Sequence, residues 1–264
     1  MENKTVSVVI SVFNEEKTIA EVIEPLLGSE SVSEIICVND GSADKSLEIL
    51  KSFGDKITLI DLRRNRGKGF AMAAGVKKAV GEIIVFLDAD LLYLKKGHVN
   101  KLVLPLLGGK AEAALGVLSF SSTSAKPSPS LTGQRAYWKK DLISHLKQIS
   151  KTRYGAEIYL NSVFKKNKVA KIDLEDLVYL AKRHKMPFSD LPAAYLRQIL
   201  EMSRTVAKVN GMKLQKIRSV FSEENVKSVT DFFKTLNQIE DKEILVIIKQ
   251  QINSYFARHF KGMG

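Results

Sequence analysis

The chain has 264 residues, 45% of them hydrophobic and 27% charged, a globular balance that excludes global disorder and suffices for a sizeable core. Its single cysteine, Cys37, excludes a disulfide framework and a zinc–thiolate centre and points to a reducing, cytoplasmic setting. The net charge of +12 sits in one half: residues 1–120 hold 15 basic and 16 acidic side chains, and residues 121–264 hold 26 and 13. Such a surface attracts phosphate, anionic lipid or nucleic acid without choosing among them.

In chain order, the β-branched run VSVVI at 6–10 predicts a buried strand, and apolar spacing of three and four over 16–27 predicts a helix. The alternation repeats with strands at 35–38, 57–60 and 83–87 and helices at 43–53 and 69–80, then a helix at 98–107 and a strand at 112–118. Strands separated by such helices require βαβ crossovers and a mostly parallel sheet, and their continuous apolarity fits a sheet covered on both faces. The Ser/Pro-rich stretch 119–130 reads as a mobile loop and a candidate lid. Helices are expected at 134–150 and 155–166, and a strand at 169–174. After residue 191 the pattern is helical only, at 193–208, 223–238 and 240–260, with a break at Asn210 and Gly211. The expected organisation is an α/β domain over 1–190 and a helical extension over 191–264. No apolar run reaches the roughly 18–20 residues of a membrane span, and no basic-then-apolar leader precedes the first strand.

Ligands of doubly wound sheets bind where the carboxyl ends of the strands open into loops. Four such loops are polar here: SVFNEE at 11–16, NDGS at 39–42, RRNRGKG at 63–69 and DAD at 88–90. On extended backbone, residues i and i+2 point the same way, so Asp88 and Asp90 face one point. Two carboxylates so placed need a cation, and hard oxygen ligands suit Mg²⁺ or Mn²⁺ bridging to a substrate diphosphate. Asp40 either caps its own Asp-Gly turn or accepts a hydrogen bond from a base N–H. The RGKG run at 66–69 lacks Walker A spacing, yet offers close backbone approach, a helix N-terminus and fixed positive charge.

The ordered set SVVISVFNEE (7–16), VNDGS (38–42), NRGKGFA (65–71) and IIVFLDAD (83–90) resembles family 2 glycosyltransferases of the GT-A fold, and LTGQRA (131–136) and YGAEI (154–158) continue it weakly. Polyprenyl-phosphate sugar transferases and enzymes of the glucosyl-3-phosphoglycerate synthase type are similar in these motifs. The resemblance implies a Rossmann-like, mostly parallel sheet flanked by helices. It implies that Ser11, Phe13, Asn14, Glu15, Asp40, Gly67, Lys68, Asp88 and Ala89 line a nucleotide-sugar site. By the same resemblance Asp88 and Asp90 hold the metal, with His184 as a late third ligand. Asp90, Glu157 and Arg135 are then the catalytic candidates, Glu157 on the acceptor side and Arg135 as an acceptor-phosphate contact. Two departures stand out: Ser11 replaces a proline common in the family, and Ala156 and Glu157 replace its Glu-Asp dipeptide.

The implied reaction moves a sugar from a nucleoside-diphosphate donor to an acceptor that the basic second half favours as anionic, a polyprenyl phosphate or a phosphorylated small molecule. The C-terminal helices are candidates for a homodimer contact or a peripheral membrane contact at the inner face. A nucleotidyltransferase would need a Gly-rich loop where VFNEE stands at 12–16, and a nucleic-acid-binding protein would leave Asp88 and Asp90 unexplained. Nucleic acid is therefore not an expected partner.

Overall fold

The computed structural model describes residues 4–118, 131–164, 168–180, 188–222 and 226–259. The expected lid at 119–130 and His184 lie outside the described residues. The first four strands, β1 (Val6–Val12), β2 (Glu34–Asn39), β3 (Thr58–Asp61) and β4 (Ile83–Asp88), fall where the apolar runs stand. Between them run α1 (Ile19–Leu27), α2 (Ser46–Ser52) and α3 (Lys68–Lys78). A short β5 (Leu91–Leu92), α4 (Lys96–Leu107) and β6 (Ala113–Leu118) follow.

Residues 134–138 correct the expected helix. Arg135–Trp138 is a strand, β7, and only the short α5 (Lys139–Ile143) and α6 (Leu146–Ile149) occupy the rest of that stretch. Beyond it lie α7 (Ala156–Val163), β8 (Val169–Leu174) and β9 (Val178–Tyr179). The extension holds α8 (Leu191–Val209), α9 (Leu214–Val220), α10 (Val229–Leu236) and α11 (Lys242–His259).

The seven-stranded sheet has the order β3-β2-β1-β4-β7-β6-β8. β7 runs antiparallel to both its neighbours, and the other pairings are parallel. A separate ribbon pairs β5 with β9. The order reverses at β1, which pairs with β2 on one side and β4 on the other, and this opens a crevice at their carboxyl ends. Alternate residues of each central strand enter two different cores. Val8, Ile10, Cys37 and Val85 pack with Val22 and Leu102 on one face; Val9, Ile36, Val38 and Phe86 pack with Met72 and Val76 on the other. Burial pushes the Cys37 thiol up to about 12, so it is inert rather than reactive. A third core lies among α8–α11 and also takes in Leu131 and Ile158 of the sheet domain.

Candidate active site

Hydrogen bonds lace the four strand-end loops together. Asn14 donates its backbone N–H to Ser42 Oγ at 3.0 Å and accepts from the Ala43 N–H at 2.8 Å, and the Glu15 N–H reaches Ser46 Oγ at 2.7 Å. Asn14 takes a left-handed φ of 56°, which asparagine tolerates better than most residues. The second loop holds the third through Asp40, whose two carboxylate oxygens accept the backbone N–H groups of Arg66 at 2.7 Å and Gly67 at 2.8 Å. Burial pushes the Asp40 carboxyl above its ordinary value, and those two N–H groups pull against the shift. The fourth loop returns to the first where Thr18 donates to the Ala89 carbonyl at 2.8 Å.

Lys68, the first residue of α3, joins the third loop to the fourth. Its ammonium lies 2.6 Å from Asp88 Oδ1 and 2.5 Å from Glu157 Oε1 in the first turn of α7. Desolvation alone would lower the lysine pKa, but the two carboxylates outweigh it and hold the ammonium above its usual value. The other Asp88 oxygen accepts from Gln134 Nε2 at 3.0 Å, and Gln134 Oε1 accepts from Thr132 Oγ1 at 2.6 Å. Two glycines make this packing possible. Gly67 has φ 92°, and a Cβ there would lie 2.9 Å from the Arg153 side chain. At Gly133 a Cβ would strike the Asp88 carboxylate at 2.1–2.3 Å.

Of the residues named from sequence, Ser11, Phe13, Asn14, Glu15, Asp40, Gly67, Lys68, Asp88, Ala89 and Asp90 belong to this rim, and Glu157 reaches it from α7. Ser11 Oγ is buried without a hydrogen-bond partner, on a residue registered with Asp88 across β1 and β4. Phe13 is 39% exposed at the mouth. Arg135 does not join them. It is fully buried, and its guanidinium donates to the Thr132 carbonyl, the Tyr137 hydroxyl and Asn161 Oδ1 at 2.6, 3.0 and 2.8 Å. A guanidinium so enclosed braces β7 against α7.

Three contributors were not foreseen: Gln134, Arg153 and Glu201. Arg153, at φ 47°, donates from Nε to Glu201 of α8 at 2.6 Å and from Nη2 to Asn65 at 3.2 Å, so the helical extension grips the third loop. No sequence motif marks Arg153 or Glu201. Gln134 sits beside the residue that drew attention, in a stretch read as helix. Asp88 and Asp90 are the residues that could hold a divalent cation. Among the described residues no cluster of three or more His, Cys, Asp or Glu side chains could hold a metal. Two carboxylates on a short turn therefore fit a hard cation that completes its shell with phosphate oxygens.

Residues 7–169 match the family model of glycosyl transferase family 2. An undecaprenyl-phosphate 4-deoxy-4-formamido-L-arabinose transferase of Pectobacterium carotovorum is 42% identical over 96 residues, which cover 33% of this chain and 29% of that protein, so the chain spans less than a third of that relative. The uncharacterized protein MJ1222 of Methanocaldococcus jannaschii is 29% identical over 218 residues, 78% of this chain and 88% of that one. Glucosyl-3-phosphoglycerate synthase of Mycobacterium tuberculosis, crystallised with phosphoglyceric acid, superposes with a TM-score of 0.62 at 22% identity and covers 80% of this chain and 81% of that chain. A further crystal structure of that synthase, in complex with Mn²⁺, UDP and glucosyl-3-phosphoglycerate, gives 0.61 at the same 22% identity and the same coverage of both chains. At this identity the likeness is one of fold, the GT-A arrangement. The family match takes in β1–β4, β7, α7 and all four strand-end loops, more than half of the sequence, and the chain accordingly belongs to glycosyltransferase family 2.

Proposed function

We propose that the chain transfers a glycosyl group from a nucleoside-diphosphate sugar to an anionic acceptor, with Mg²⁺ or Mn²⁺ held by Asp88 and Asp90. The observation that carries this reading is the Lys68–Asp88–Glu157 cluster beside Asp90 at the point where the strand order reverses. When bound, such a cation neutralises the charge that develops on the departing diphosphate. Asn14, Glu15 and Asp40 form the nucleotide side. Asp40 holds the loop with two N–H bonds and keeps lone pairs for a base N–H. Lys68 fixes Asp88 in position and keeps a positive charge on the rim throughout the physiological pH range.

Glu157 is engaged by that same ammonium and is not offered as a proton acceptor. This favours an acceptor whose nucleophile is already an oxyanion, because a phosphate oxygen has no proton to remove. The basic second half of the chain, with 26 cations against 13 acidic side chains, draws such a molecule. It suits a polyprenyl phosphate and a phosphorylated small molecule alike. No helix among the described residues is long and apolar enough to cross a membrane, and a peripheral contact with a lipid-borne acceptor is part of this proposal. A homodimer through the extension belongs to the same proposal, with Phe233 and Val246 about half exposed on α10 and α11.

The test is release of nucleoside diphosphate from UDP-, GDP-, ADP- and dTDP-sugars, with and without Mg²⁺ or Mn²⁺. At least one donor should turn over only with metal, and Asp90→Ala should lower that rate by about 10²-fold or more at unchanged melting temperature. Metal-independent turnover, or full activity in Asp90→Ala, overturns the metal assignment.

A further inference from the structure

A second concavity lies away from the strand-end loops, where α6 and α7 meet α8 and α9. It encloses about 700 Å³, and Lys151, Thr152, Tyr159, Arg204, Lys208 and Arg218 are among the residues that line it. That volume lies in the range of roughly 300–1,000 Å³ that encloses a small organic molecule. Four of the lining residues are cations and none is acidic. Among the described residues, none of those four forms an ion pair with a carboxylate. Their hydrogen bonds go to neutral acceptors instead. Arg204 donates from Nε to the Phe221 carbonyl at 2.9 Å and from Nη2 to the same oxygen, and Lys208 reaches Gln148 Oε1 at 3.4 Å.

Four like charges around one hollow repel each other unless an anion sits among them. Of the remaining walls, Tyr159, Val209, Ile217 and Phe221 are apolar or aromatic, and the rest are neutral polar side chains such as Thr152 and Thr205. The site stands back to back with the donor rim across the segment 149–155. Gly69 of α3 packs so closely against that segment that a Cβ would meet the Ile149 carbonyl at 2.3 Å and Thr152 Oγ1 at 2.4 Å. Thr152 faces the cavity, whereas Arg153 turns the other way, to Glu201 and Asn65.

We propose that this cavity binds a phosphate monoester carrying an apolar or ring-bearing body, at a site separate from the donor rim. The dianionic phosphate lies among Lys151, Arg204, Lys208 and Arg218, and the organic body lies against Tyr159, Ile217 and Phe221.

The experiment is calorimetric titration of the full chain with phenyl phosphate. One saturable site per chain is expected, its affinity unchanged in Asp90→Ala and with saturating UDP or GDP plus Mn²⁺ present. The double variant Lys208→Gln/Arg218→Gln alters two exposed side chains and should weaken binding at least about tenfold, and Lys151→Gln should weaken it separately. Vesicles of phosphatidylcholine doped with phosphatidic acid distinguish the source. Cosedimentation that the double variant abolishes assigns the phosphate to a lipid, and phenyl phosphate binding without cosedimentation assigns it to a free metabolite. Absence of saturable binding overturns the proposal, as does displacement by the nucleotide or unchanged affinity in both cation variants. Because the readout is binding and not turnover, its failure is distinct from a failure of the donor-site assignment.

Discussion

A single ammonium, that of Lys68, holds carboxylates that lie 20 and 89 residues away in sequence. Lys68→Met keeps most of the side-chain length and leaves Asp88 and Glu157, each about a tenth exposed, without their counter-charge. A loss of about 3 kcal/mol is expected in urea unfolding. Adding Glu157→Gln should recover part of it, and a Lys68→Met protein as stable as wild type would show that the cluster contributes nothing. Asp40 supplies a pH test. Its folded carboxyl lies above the unfolded value, so its ionisation opposes folding: the linked stability is full below about pH 4 and is lost as the pH rises through the folded value. Asp40→Asn removes that pH-linked part and leaves one of two backbone N–H groups without its acceptor. The variant is expected to be about 1–2 kcal/mol less stable at pH 7, with a wider gap at pH 4, as paired urea melts would read. A gap that narrows on acidification would mean the carboxyl is held low instead. Sequence motifs named all three members of the Lys68 cluster, Lys68 and Asp88 from polar loops at strand ends and Glu157, in the first turn of α7, from the family resemblance at 154–158. They could not pair them, since residues that far apart meet only through the crossovers of the sheet.

At the scale of elements, β1, β2 and β4 were legible because a strand covered on both faces carries a continuous apolar run, and the half-buried edge strand β3 was legible from its Ile-Thr-Leu-Ile run at 57–60. β7 was not. Its residues, Arg135, Ala136, Tyr137 and Trp138, begin with a charge and run into Lys139 and Lys140, so the stretch passes for one side of a helix. Nothing local announces that Arg135 will find three acceptors inside the protein, and an arginine without them would not be buried. The register that pairs Phe86 with Arg135 continues to set Gly133 opposite Asp88. Gly133→Ala must therefore push the Asp88 carboxylate aside. Metal-dependent donor turnover should fall at least about tenfold while circular dichroism stays that of wild type, and an unimpaired rate would show that Asp88 can move without consequence.

Across the whole molecule, the expected division after residue 190 meets a more entangled arrangement. α8 follows directly from there, but its Glu201 holds Arg153 at 2.6 Å and the Tyr154 N–H at 3.3 Å, and the core of the extension takes in Leu131 and Ile158. Helical periodicity revealed α8, α10 and α11, whereas the seven-residue α9 was too short to register. Glu201→Ala should lower the melting temperature by a few degrees, corresponding to about 1 kcal/mol, and raise the donor KM by loosening the third loop through Arg153. An unchanged KM would confine Glu201 to a purely architectural part. One consequence of the sheet order concerns biosynthesis. β7 returns from residue 135 to fill the gap between β4 and β6, so in a nascent chain that has emerged only through β6, β4 can pair with β1 alone and β6 has neither of its final partners. Until Trp138 clears the ribosome, the strand ending in Asp88 has an open, apolar edge, and that interval is when this protein is most exposed to misassociation with its neighbours or capture by a chaperone.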